Sequence, residues 1–351
     1  MSSAGSSPAG GGSDASAGAA ASSGRGSSSA GEGAAGASSD VFEDLPLGAN
    51  GFPSKTPVGS ITIREVGPRD GLQSEDPVEV PARVGLVEAL VDAGVRVIEA
   101  VAFVSPRAVP QMAGAADVMA ALRRVDGVRY LALVPNARGA ELALVAGVDG
   151  LSLTVSASEA YSQRNVHMSV EESLAQVGAV RAVVGEDLPV DTVISCAFGS
   201  PYEGDLAPSA VAGLGARALD AGSSTLTYAD TTGMATPRRV AELVELTGAD
   251  VGLHLHDTRG TALVNAYAAL ELGVRRFDTA VGGLGGSPFA AGAGGNLATE
   301  DLVHLCDDLG IATGIDLEAL LAVSAQVAEI VGHPVPSRVA AAGPRSHLAS
   351  R

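Results

Sequence analysis

Lysine is almost absent from this chain. Among 351 residues there is one, Lys55, set in a Pro/Gly-flanked stretch. A Schiff-base enzyme needs a lysine inside its pocket, so the composition argues against iminium chemistry. If the protein makes or breaks carbon–carbon bonds, a metal must polarise the carbonyl instead. Cysteine is nearly as scarce: Cys196 and Cys306 alone do not make a disulfide scaffold, which fits a reducing, cytoplasmic location. No run of about 18 uninterrupted apolar residues occurs, so no transmembrane helix is expected. Positive charge is thin as well. The net charge is −18 and the basic residues are scattered, which argues against a nucleic-acid partner. An anionic small substrate would need local arginines to offset that field. The chain opens without a basic segment leading into an apolar one, so neither a secretory signal nor a membrane partner is expected.

Hydrophobic residues make up 46% of the chain, ample for one large core. Residues 1–45 are nearly all Ser, Gly and Ala, too poor in apolar surface to offset ordering entropy, and are expected to be disordered. A lead-in over 46–59 follows, then a catalytic domain over 60–335 and a C-terminal tail over 336–351.

Within 60–335 a strand-then-helix pattern repeats. Strands are expected at 61–66, 97–104, 128–134, 151–156, 190–197, 225–230, 250–256 and 276–281. Helices are expected at 81–93, about 111–124, 136–146, 170–184, 208–220, after Pro237, 262–272 and 299–309, with a further one at 316–331. Eight such units in this length predict an α/β TIM (β/α)8 barrel with an extra C-terminal helix. A doubly wound sheet is the alternative, but it carries a Gly-rich dinucleotide turn after the first strand. Here that strand runs into Gly67-Pro-Arg-Asp-Gly71.

In such a barrel the chemistry sits where strands end and loops begin. Those positions carry Arg69, Asp70 and Gln73 after the first strand, Glu99 in the second, and Asp230 after the sixth. The seventh carries His254, His256 and Asp257, and the eighth leads through a glycine-rich run to Asn296 and Glu300. Residues two apart in a strand share a face, so His254 and His256 project together. Alone, H-x-H also suits a structural pair, Arg69–Glu99 a structural ion pair, and Asp230 a turn cap. Their gathering on one rim favours a site. Asp70, His254, His256 and Asn296 form a mixed oxygen/nitrogen set suited to Mg²⁺ or Mn²⁺, with zinc still open. The run from Gly282 to Gly295 reads as a mobile lid rather than a bare linker.

At these residues the chain resembles the 3-hydroxy-3-methylglutaryl-CoA lyase family. The matching stretches are Gly67-Pro-Arg-Asp-Gly-Leu-Gln73, Val97-Ile-Glu99 with Phe103-Val-Ser-Pro106, and Val109-Pro-Gln-Met112. Others are Ser195-Cys-Ala197 with Pro201-Tyr-Glu-Gly204, Asp230-Thr231, His254-Leu-His-Asp257, and Gly285-Gly286 through Gly295-Asn-Leu-Ala-Thr-Glu-Asp301. The resemblance implies that Asp70, His254, His256 and Asn296 hold the divalent cation and that Arg69 stabilises a developing enolate. Glu99 and Asp230 would be supporting polar groups, Glu300 would support the lid and metal shell, and His254 would share in proton transfer. The implied reaction is retro-Claisen cleavage of the hydroxymethylglutaryl thioester to acetyl-CoA and acetoacetate. An acyl-CoA substrate would be met by Arg69, Gln73, Arg107 and Arg164, and a homodimer is the expected assembly.

One departure bears on catalysis. Lyases of this family carry a cysteine in the glycine loop where this chain has Ser287. A thiol exchanges protons near neutral pH after modest tuning; a serine hydroxyl does not without a partner. Proton transfer through Ser287 and water, a reassigned acid/base such as His254, and a related acyl-CoA substrate all remain open. Two other functions share these residues: a condensing synthase joining acetyl-CoA to a 2-oxo acid, and a barrel of low activity.

Overall fold

Eight short strands pair side by side in chain order and close on themselves, all parallel. The computed structural model describes residues 59–286 and 294–347; the Ser/Gly/Ala tail, Lys55 and Ser287 lie outside the described residues. The strands are β1 (Thr62–Glu65), β2 (Val97–Ala102), β3 (Arg129–Leu133), β4 (Gly150–Ser156), β5 (Val190–Ser195), β6 (Thr225–Ala229), β7 (Gly252–His254) and β8 (Arg276–Thr279). Helix α1 (Val80–Asp92) follows β1, α2 (Ala115–Ala121) follows β2, and α3 (Ala137–Val145) follows β3. After β4 come α4 (Glu159–Val166) and α5 (Val170–Val184). Then α6 (Pro208–Asp220), α7 (Pro237–Thr247), α8 (Ala262–Glu271) and α9 (Thr299–Leu309) follow β5 to β8 in turn. Two helices lie beyond the repeat, α10 (Leu317–Val331) and α11 (Arg338–Ala342). The expected TIM barrel is the observed architecture.

Helix boundaries follow their caps. Asn136 accepts from Gly139 N and opens α3, while Ser169 and Glu172 form a reciprocal capping box on α5. The sequence reading missed three local features. The polar loop after β4 contains α4, opened by Ser158, whose hydroxyl accepts from Tyr161 N. The helix expected over 111–124 divides into a single 3₁₀ turn, Pro110–Met112, and α2, because Gly114 between them takes φ 73°. The stretch expected as a C-terminal tail holds α11, whose start is tied to α9 by Asp301 accepting from Ser337 Oγ and Val339 N.

The apolar core lies between the strands and the helices, with Leu86, Leu90, Ile98, Val177, Ile194, Leu253 and Leu270 buried in it. The inside of the barrel is different. Arg64, Glu99, Ser152, Asp191, Thr227, His254 and Asp278 are all buried there. Alternation along each strand separates the two environments. No helix among the described residues is long and apolar enough to cross a membrane.

Candidate metal centre

Three elements build the site. The first is the turn after β1, where Gly67–Gly71 forms one π-helical turn with Pro68 at its start. Asp70 N and Gly71 N both donate to Val66 O, and the turn sets Arg69 and Asp70 side by side. The second is the end of β7. His254 closes the strand, which is shorter than expected, and His256 lies just beyond it in an antiparallel bridge with Asn296. That bridge is the third element: Leu297 N donates to Leu255 O and Asp257 N to Gly295 O, pinning the returning glycine segment to β7. Leu253 and Leu255, on the opposite face from the imidazoles, are fully buried in the core.

The result is convergence. One ligand atom each from Asp70, His254 and His256 lies within 4.8 Å of the others. The two imidazole Nε2 atoms face each other at 3.1 Å. Asn296 Nδ2 donates to Asp70 Oδ2 and to Leu284 O, each at 2.8 Å. Its Oδ1 is buried without a hydrogen-bond partner, an open acceptor on a residue whose amide already bonds Asp70. Hard oxygen donors with two imidazoles fit a divalent cation, and an orphaned buried acceptor is what such a cation would satisfy.

Electrostatics favour the same reading. Burial is the largest influence and opposes ionisation of Asp70, but Arg69, His254 and Asn296 together outweigh it and hold the carboxyl down at about 2. Burial, then the neighbouring His254, push His256 down to about 3, so it presents a neutral ring. His254 differs. Burial again opposes its charge, yet Asp278 and Asp70 raise its pKa. Its Nδ1 meets Asp278 Oδ2 at 3.2 Å, which orients the ring with Nε2 toward the site.

Arg69 donates through Nε to Glu99 Oε1 at 2.5 Å and through Nη1 to Asp70 Oδ1 at 2.5 Å. Glu99 also accepts from Ser152 Oγ. Glu99 thus orients the arginine. Asp230 Oδ1 accepts from Met234 N and Ala235 N, so the turn-cap reading holds for that oxygen. Its Oδ2 is buried and unpartnered, and burial pushes the carboxyl up to about 7. Glu300 does not join the four-residue set: it accepts from Gly282 N, at the start of the glycine run. Among the described residues, Arg107 and Gln73 make no hydrogen bond or ion pair with the cluster, and Arg164 stacks at 4.1 Å over the Tyr202 ring.

Reading only strand ends missed Asp278, Arg64 and Asp191 inside the barrel and Glu65 on the outer face of β1. The signal was there: each is a charged residue within a stretch read as a barrel strand. Glu65 Oε1 accepts from Gly67 N at 2.7 Å and Val281 N at 2.8 Å, and its Oε2 from Thr299 Oγ1 at 2.5 Å. One carboxylate therefore joins the β1 turn to the β8 turn.

A family model described as HMGL-like matches residues 60–327. The hydroxymethylglutaryl-CoA lyase of Pseudomonas mevalonii is 44% identical over 82% of this chain and 99% of its own. The (R)-citramalyl-CoA lyase of Chloroflexus aurantiacus is also 44% identical, over 81% of this chain and 95% of its own. Among solved structures, an HMG-CoA lyase from Acinetobacter baumannii in complex with coenzyme A and 3-methylmalate superposes with a TM-score of 0.80 at 38% identity. The match covers 83% of this chain and 98% of that one. With the barrel, the rim cluster and these relatives in agreement over the same residues, the chain belongs to the HMGL-like family.

Proposed function

We propose that this chain cleaves 3-hydroxy-3-methylglutaryl-CoA to acetyl-CoA and acetoacetate, as a carbon–carbon lyase. The observation that carries the reading is the convergence of Asp70, His254 and His256 on one point beside the free Asn296 Oδ1 and Arg69. Asp70, His254, His256 and Asn296 would hold a divalent cation, Mg²⁺ or Mn²⁺. When bound, it supplies Lewis acidity toward the oxygens of the acyl group.

Cleavage requires a base for the C3 hydroxyl proton. Loss of that proton drives the C2–C3 bond to break, giving the ketone and the enolate of acetyl-CoA. Asp230 fits the base: it is next to His254, carries a buried unpartnered Oδ2, and has a carboxyl poised at about 7. The Arg69 guanidinium, fixed by Glu99, offers its fork to the enolate oxygen. Protonation of the enolate carbon completes the reaction, and His254 or a water held by Ser287 are the donors to separate. Glu300 fixes the base of the glycine run, which acts as a lid. The active assembly is a homodimer, with Gln73, Arg107 and Arg164 along the path of the CoA moiety.

Purified full-length protein with Mn²⁺ and the hydroxymethylglutaryl thioester yields acetoacetate and acetyl-CoA in equal amounts by mass spectrometry, and a chelator abolishes both. Intact metal binding with no acetoacetate would sink the assignment. A citramalyl thioester is the second reading, since a relative named for that activity is equally similar. The same assay ranks the two. Ser287→Cys raises turnover at least about tenfold if that position shuttles the proton, since the general acid is restored; unchanged turnover assigns the proton to His254.

A further inference from the structure

We infer that Arg64, deep inside the barrel and touching none of the four ligands directly, is a positioning residue for the metal centre. It acts by locking the carboxylate that aims His254. The inference rests on the reading of Asp70, His254, His256 and Asn296 as cation ligands.

Strand register supplies the geometry. Arg64 on β1 pairs laterally with Asp278 on β8, and Asp278 pairs with His254 on β7. The three side chains therefore stand in one row across three neighbouring strands. The guanidinium engages Asp278 with two prongs: Nε to Oδ1 at 2.8 Å and Nη2 to Oδ2 at 2.6 Å. Its third nitrogen, Nη1, donates to Asp191 Oδ2 at 2.8 Å, and Thr227 Oγ1 lies 3.3 Å from Nη2. A forked pair fixes the plane of a carboxylate, which a single point contact does not. That plane matters because Asp278 Oδ2 also meets His254 Nδ1. If the carboxylate turned about its own bond, the imidazole would lose the partner that aims Nε2 at the cation position.

A stability role alone explains the arrangement poorly. Three charges inside a barrel are costly to desolvate, and apolar side chains of similar size serve a fold as well or better. Asp191 has a clear part. Arg64, Asp191 and Asp278 together carry one net negative charge, so the fork is present without leaving net positive charge beneath a bound cation.

The test measures Mn²⁺ affinity of the full-length protein, not only turnover. The double variant Arg64→Met with Asp191→Asn removes one charge of each sign, so the net charge of the row is unchanged while the fork is lost. Its Mn²⁺ Kd rises about tenfold to hundredfold, the range seen when a group that orients a metal ligand is removed. Arg64→Lys keeps the charge but not the planar fork, and its Kd lies between the two. If the double variant does not fold, the lysine variant decides alone: a Kd within twofold of wild type overturns the inference. So does a folded double variant that binds Mn²⁺ as tightly as wild type. Wild-type protein that binds no Mn²⁺ overturns the metal reading itself, and this inference with it.

Discussion

Asp70 and Asp278 stand in contrast to Glu65 and Glu300. All four are carboxylates withdrawn from bulk water around the same barrel mouth, yet they are held in opposite states. For the two aspartates, burial is the largest single influence, yet an arginine, Arg69 or Arg64, together with His254 and hydrogen-bond donors outweighs it, and both stay ionised with pKa values near 2. For the two glutamates burial wins. Backbone and hydroxyl donors are their partners, no arginine or histidine among the described residues pairs with them, and each is pushed up to about 7. The inward pair supplies fixed negative charge where a metal would be held. The outward pair ties down the turns: Glu65 holds Gly67 and Val281, and Glu300 holds Gly282. Burial alone does not tell a ligand from a clamp; the cation beside it does.

Removing a cation should break this contrast. Arg69→Met strands Glu99 and Asp70 without their guanidinium and withdraws the proposed enolate partner. We expect kcat/KM to fall by roughly 10³-fold, and stability by about 3–5 kcal/mol as a buried pair loses one member. Steady-state kinetics and urea unfolding check both. A variant with near-normal kcat would remove Arg69 from the chemistry.

Glu65→Gln sharpens the contrast with a smaller effect. The folded pKa of Glu65 lies above its ordinary 4.5, so the folded chain holds a proton there that the unfolded chain has released. The stability this contributes is fully present below about pH 4.5 and is lost as pH rises through about 7. Glutamine can accept from the same two amides and donate to Thr299. Unfolding followed at pH 5 and pH 8 should therefore show the variant gaining on wild type at the higher pH, by about 1–3 kcal/mol. Parallel curves for the two proteins would show that Glu65 is ionised throughout.

The smallest effect is expected outside the barrel. Arg217 and Glu171 form an exposed bidentate pair, and Arg217→Ala should leave the melting temperature and kcat unchanged within error. A clear drop would mean that surface pairs share the load assigned to the interior.

Much of this was readable before any coordinates. Strand–helix alternation set the barrel because short stretches rich in apolar residues alternate with helices, most of which open on a cap or close on a glycine. Asp70, His254, His256 and Asn296 could be named because they lie where strands end. Arg64, Asp191 and Asp278 were overlooked because they lie within strands, and only register shows which neighbours an inward side chain meets. Helix α4 was overlooked for a local reason: Glu159–Val166 has almost no apolar stripe, so Ser158 as its cap was the one cue. His256 was placed inside a strand, whereas a cross-chain bridge to Asn296 sets its position instead.

Gly286 and Gly294 pair with each other, and Gly295 N donates to Gly285 O, so the two arms of the glycine run are stitched together at their base. At Gly285 there is no space for a side chain: a Cβ would fall 2.3 Å from Asn296 Nδ2. Any side chain at Gly285 would push aside the amide that also holds Asp70, so this one glycine acts as a spacer that lets the returning arm reach the site.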